Sequence, residues 1–209
     1  VARHRPQAVM VPTRRSLHGI AELLLAGPQF RAGHGIRLRI TPGGFATTGE
    51  PDLRLDGDLL VAGAQRIPVA GRRYADLGAE AGVQAGAPAG AYAGGSGVRP
   101  DEEVRLDPEP ARLILHAFAE GEEALRAFAP AVPPVLWPEH FDLAVVVDEA
   151  TYGICAGDAH LPEPYAYVRP HRPRTGPFWT APFGAARPLR ELGGTAEIHR
   201  FFADGRAAL

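Results

Sequence analysis

The stretch Phe141–Arg169, FDLAVVVDEATYGICAGDAHLPEPYAYVR, decides the fold. Phe141, Leu143, Val145 and Val147 alternate with other residues at the two-residue period of a strand. "TYGICA" repeats the apolar character beyond Asp148-Glu149, an acidic pair that suits a tight turn. The two runs read as a hairpin, and "YAYVR" follows as a further strand. Upstream, Leu38 and Ile40 alternate with Arg37 and Arg39. "TPGGF" breaks that strand. "DLRLDGDLLV" turns at Asp56-Gly57-Asp58, and "RIPV" adds an edge strand, because Pro68 has no N–H to donate to a ladder.

Helices frame these strands. Thr13 or Ser16 caps a helix over roughly 15–26 with an apolar stripe of Leu17, Ile20, Ala21, Leu24 and Leu25. "YADLGAEAG" reads as a short, weak helix. Asp107 and Pro108 open the strongest one, with Ala111, Ile114, Phe118, Leu125 and Phe128 on one face; His116 points away from it. A last helix begins near Thr195 and buries Ile198, Phe201 and Phe202. Strands and helices come in groups without strict alternation. The expected class is α+β, a mainly antiparallel sheet with hairpins, covered by about three helices.

The chain has 209 residues, a length that suits one domain. Residues 82–104, rich in Gly, Ala and Pro, read as a long surface loop, with little apolar area to offset ordering entropy. The first dozen residues are expected to be disordered. Met10 is the only methionine, which points to a start downstream of residue 1 or to a valine-coded one.

Composition removes several chemistries. All 22 basic residues are Arg, so there is no lysine for a pyridoxal phosphate or a P-loop nucleotide. The two serines, Ser16 and Ser96, lie outside any G-x-S-x-G elbow. Cys155 is alone and reads as a buried, inert thiol. A net charge of −2 argues against nucleic acid as a partner. No apolar run is long enough for a membrane span. The expected location is the cytoplasm, and an oligomer is compatible with the sequence.

One constellation carries chemistry. Glu139, His140 and Asp142 stand where the hairpin begins, and Asp158, His160 and Glu163 where it ends. If the hairpin brings its two ends together, His140 becomes an acid/base group oriented by Asp142 and assisted by Glu139. Asp158, His160 and Glu163 then complete a polar wall, and Trp137, Tyr152, Tyr165 and Tyr167 line the pocket. A divalent metal, if one binds, would take His140, Asp142, His160 and Glu163. The competing reading makes these residues the polar trim of turns.

The leading expectation is a small-molecule-binding protein or enzyme with this pocket at the sheet end; the residue pattern does not choose between binding and catalysis. One alternative is a non-catalytic interaction or oligomerisation module presenting Phe178, Trp179 and Phe183. Another is phosphate or nucleic-acid binding through Arg169, His171, Arg172 and Arg174. His18 and Glu22, one helical turn apart, read as a surface pair unless that flank faces a cleft.

The runs LWPEHFDLAVVV, YGICAGDAHLPEPYAYV and GPFWTAPFGA, with LHGIAELLLAGPQFRA and the TPGGF turn, together resemble a family of uncharacterised proteins from high-GC actinobacteria. The resemblance covers most of the chain. It implies a source type and a single-domain unit, and it carries no activity and no functional residue.

Overall fold

A computed structural model describes residues 5–209, with side chains described from Met10 onward. The disorder expected of the first dozen residues falls partly on 1–4, outside the described residues; from Arg5 the chain is helical. The chain divides into two compact units. The first runs to Leu115 and includes Leu136–Phe141; the second comprises His116–Val135 and Asp142–Leu209.

The first unit opens on a continuous helical rod. α1 (Arg5–Gly19) passes into a π-helical stretch, Ile20–Ala26, and then into α2 (Gly27–Arg31). The Gly27 N–H bonds to the Glu22 carbonyl five residues back, the spacing that defines a π-turn. Every residue of the π stretch is buried, and it packs on β1, β2, β3 and α3. Five strands follow: β1 (Leu38–Thr41), β2 (Gly44–Thr47), β3 (Leu53–Asp56), β4 (Leu59–Ala62) and β5 (Gln65–Pro68). Each pairs antiparallel with the next, and β6 (Val135–Trp137) joins β1 through Leu38 and Leu136. The expected breaker "TPGGF" is a hairpin turn: Thr41 pairs with Gly44 across Pro42-Gly43, and β2 begins there. α3 (Tyr74–Glu80) is the short helix read from "YADLGAEAG".

The second unit continues α4 (Pro108–Phe128) from His116. Its strands β7 (Asp142–Val147), β8 (Ala150–Cys155), β9 (Tyr165–Pro170) and β10 (Ala185–Pro188) are antiparallel in sequence order. The hairpin of the opening stretch has the expected register, from Asp142 opposite Cys155 to Val147 opposite Ala150. Its turn residues Asp148 and Glu149 both have positive φ, 51° and 62°, as the strand twist demands of a two-residue connection. Short α5 (Leu189–Leu192) and α6 (Thr195–Ala207) complete the unit. One sheet face carries Tyr152, whose ring lies 4.6 Å from that of Phe128 and 6.0 Å from that of Phe202.

The α+β class with antiparallel pairing therefore holds. The helices exceed the expected three: the rod, α3, α4, α5 and α6 make five bodies among the described residues. No helix among them is long and apolar enough to cross a membrane.

Candidate functional site

The polar centre of the first unit lies on the π stretch. Glu22 is 3% exposed, in the middle of an otherwise apolar turn. A carboxylate so placed must be paired or fully hydrogen-bonded. It is ringed by donors from the glycine-rich loop. Tyr92 Oη donates to Oε1 at 2.9 Å; the Ser96 N–H donates to Oε2 at 2.9 Å, and the Ser96 hydroxyl donates to the same oxygen. Gly95 makes this ring fit. Its φ is +98°, and a Cβ there would run into Oε1 of Glu22. The 82–104 segment has no helix or strand, as expected, but polar contacts fasten it. Besides Glu22, the Gly86 N–H bonds to the Leu23 carbonyl and Arg15 bonds to the Gly97 carbonyl.

His18 sits one turn before Glu22. Its Nε2 lies 2.6 Å from the Pro138 carbonyl, which can only accept, so Nε2 carries the proton. Burial pushes its pKa below the usual imidazole value, against the raising effects of that carbonyl and of Glu22; His140 pushes it the same way as burial. The ring is therefore neutral near pH 7, and Nδ1 is an acceptor with no hydrogen-bond partner among the described residues. The ring stacks on Phe141 with centroids 5.4 Å apart and planes 8° apart. Phe141 in turn stands edge-on to Phe45. Phe141 is a bulky residue with φ of 53°, a conformation that surroundings must enforce. The turn Pro138–Phe141 closes with the Phe141 N–H on the Trp137 carbonyl.

That turn alters the reading of Glu139, His140 and Asp142. Strand alternation begins at Asp142 and does not extend through the left-handed Phe141 to His140. His140 is exposed and pairs with Glu139 at 3.4 Å. Its charge acts on His18, and that of Glu139 acts on Tyr92. Trp137 is half-buried under the Arg37 guanidinium, 5.7 Å from the ring centroid. Of the expected residues, Glu139 and His140 thus join a cluster that includes His18, Glu22 and Tyr92. Burial raises the Tyr92 phenol well above its ordinary pKa, and the Glu22 carboxylate adds to the rise.

Reading His18–Glu22 as a surface pair misses this centre, because the flank is buried. The usable signal is "IAELLLAG": apolar on every side, such a turn must be interior, so its single glutamate needs partners. Nothing in the sequence names Tyr92 or Ser96 as those partners.

In the second unit, Asp142, Asp158, Tyr165 and Tyr167 do come together, with Cys155. Asp142, Cys155 and Tyr165 stand side by side across three strands. The phenol end of Tyr167 lies over Gly153, where a Cβ would sit 2.7 Å from the phenol oxygen, and it donates a hydrogen bond to Asp142. Tyr165 Oη donates to Asp158 Oδ2 at 2.7 Å, while Asp158 Oδ1 accepts from the N–H groups of His160 and Leu161. Burial alone would raise the Asp158 pKa; these donors outweigh it and lower it. Burial raises the Cys155 thiol to about 11 and lifts Tyr165 and Tyr167 well above the phenol range. Leu161, Phe183 and Ala186 cover the group. These phenols and carboxylates bond to one another under an apolar cap, as an interior network does.

The remaining expected residues lie elsewhere. Tyr152 points to the helix-covered face, since odd and even positions of β8 face opposite ways. Glu163 pairs with Arg190 at 3.0 Å, and exposed His160 stands edge-on to Phe183, 5.4 Å between ring centroids. No group of three or more His, Cys, Asp and Glu side chains among the described residues can hold a metal ion. Phe178 packs 5.3 Å from Phe201, and Trp179 stands edge-on to it at 5.0 Å. Phe183 packs on the tyrosine group, and Phe178, Trp179 and Phe183 are all half-buried. Arg169, His171, Arg172 and Arg174 are exposed. No protein-family model matches the chain, and no curated protein or solved structure does.

Proposed function

We propose that the protein binds a small polar molecule at the His18, Glu139 and His140 cluster of the first unit, with His18 Nδ1 accepting a hydrogen bond from an O–H or N–H of the ligand. The observation that carries this reading is the imidazole itself: neutral, half-buried, locked by Pro138 and Phe141, and left with one open acceptor. Packing alone does not require a π-turn and a left-handed phenylalanine around one histidine, and such local strain gathers at functional positions. Glu22, one helical turn on, acts electrostatically on His18, and the half-buried Glu139 and exposed His140 follow Pro138 beside it. A histidine held in this way also takes a proton from a bound hydroxyl, so acid–base catalysis is within its reach. A cytoplasmic location suits the single buried thiol, which makes no disulfide.

The test is thermal-shift and calorimetric screening of the purified chain against hydroxy acids, polyols, nucleosides and amides. His18→Phe keeps the stack on Phe141 and removes Nδ1. A compound that stabilises the wild type and fails to stabilise His18→Phe supports the reading, with weaker binding in His140→Ala. Binding that survives His18→Phe overturns it, as does the absence of any binder.

A further inference from the structure

A second opening in the first unit is separate in its chemistry. A cleft of about 480 Å³ lies between α1 and the segment 101–105, within the range of small-molecule sites. Val11 and Pro12 give it an apolar edge, and Ser16 lines it. The 101–105 segment pairs antiparallel with 71–74 through the Arg73–Glu103 bridge and the Val104 bonds to Gly71 and Arg72. In that pairing Arg73 stands opposite Glu103, and Arg105, two residues on, shares its side. All three line the cleft.

The charges there divide into spent and unspent. Arg15 is committed to Glu102, at 2.7 and 3.1 Å, and to the Gly97 carbonyl. That bond holds the Glu102 carboxyl down to about 2, with help from the Arg99 N–H. Asp101 is taken by Arg99 at 3.2 Å. The guanidinium groups of Arg73 and Arg105 and the carboxylate of Glu103 make no ion pair among the described residues. Ser16 is 5% exposed; its oxygen accepts from the Arg105 N–H, and no described group accepts its own proton. A buried hydroxyl with an unused donor is a recognition element.

We infer that this cleft binds a small zwitterion of the α-amino-acid class. The carboxylate takes the two guanidinium forks and the Ser16 hydroxyl, and the ammonium takes Glu103. Guanidinium groups match a carboxylate's geometry with paired hydrogen bonds. Glu103, set between the two arginines, makes a simple anion a poorer fit than a ligand carrying both signs. This site does not depend on His18.

The experiment is calorimetric titration of the full chain with the free L-amino acids, with acetate and methylamine as half-ligands. The expected result is binding of at least one amino acid, weakened tenfold or more in Arg73→Ala and in Arg105→Ala, roughly 1.4 kcal/mol each. Both side chains are exposed, and the backbone bond from residue 105 to Ser16 survives the change. Glu103→Gln should remove the preference for the amino acid over acetate, and His18→Phe should leave this binding unchanged. No binding by any amino acid, equal binding of acetate, or full binding by both arginine variants overturns the inference.

Discussion

Glu22 offers the sharpest test of how the first unit is held. Its two carboxylate oxygens receive three hydrogen bonds, from Tyr92 and twice from Ser96. Replacing it with Ala leaves these donors without their acceptor. Each bond to a charged group is worth about 1.5–3 kcal/mol, a sum that falls because freed donors on a loop regain water. A net loss of about 2–4 kcal/mol is expected. Glu22→Gln is the instructive contrast. The amide oxygen can accept from both Ser96 donors while the amide NH2 faces Tyr92 Oη, so the Ser96 bonds are kept and the charge and the acceptor of the Tyr92 hydroxyl proton are lost. That variant should lose about 1–2 kcal/mol. Hydrogen exchange at residues 92–98 should rise strongly in Glu22→Ala and slightly in Glu22→Gln. In Glu22→Gln the Tyr92 phenol should also ionise at lower pH, because the Glu22 charge is the second cause of its raised pKa, after burial. Equal stability and equal exchange in the wild type and Glu22→Ala would refute the view that Glu22 fastens the loop.

Three further outcomes follow from particular contacts. Glu149→Gly should stabilise the chain by about 1 kcal/mol, or roughly 2–4 °C in Tm, since Glu149 holds φ of 62° with an exposed side chain; an unchanged melting curve would deny the strain. Gly121→Ala should destabilise by about 1–2 kcal/mol despite a helix-propensity gain near 1 kcal/mol, because its Cβ would run into Ile154. In an Ile154→Ala background the same change should stabilise, and an unchanged sign in denaturant titrations would disprove the contact. For His18 the folded pKa lies below the ordinary 6.5, so its contribution to stability is complete above 6.5 and lost as pH falls from there toward the folded value. Denaturation of the wild type and His18→Phe between about pH 7.5 and 5 should show a steeper loss in the wild type.

The hairpin was legible because its physics is local. Alternation in FDLAVVV and an acidic two-residue turn are enough to set a register in which Asp142 faces Cys155. β2, β6 and β10 escaped because "GFAT", "VLW" and "AARP" are too short to display a period, and long-range pairing makes them strands. The candidate site was legible by halves. Glu139 and His140 were readable as polar residues at the mouth of an apolar run. Their neighbours His18 and Tyr92 come from helix and loop positions about 120 and 50 residues away, a juxtaposition that only the fold creates. The tyrosines misled through parity: Tyr165 and Tyr167 share a face, whereas Tyr152 stands on the other side of the sheet.

The loop 92–102 serves both openings of the first unit, and this joins the two binding readings thermodynamically. Tyr92 and Ser96 hold Glu22, while Asp101 and Glu102 line the cleft; Arg15 ties the two parts by bonding both Gly97 and Glu102. Few apolar side chains anchor this segment, with Val98 buried, so its order rests mainly on polar contacts. Ordering a segment once lowers the entropy that a second contact must offset. An amino acid seated on Arg73 and Arg105 should therefore slow amide exchange at Ser96 and Val98, which it does not touch. By linkage, loosening the loop with Glu22→Ala should weaken that binding to the same extent that the ligand restores exchange protection. Tight amino-acid binding in Glu22→Ala, with residues 92–98 exchanging freely, would uncouple the two and leave the cleft a rigid site on α1 and the paired 71–74 and 101–105 segments.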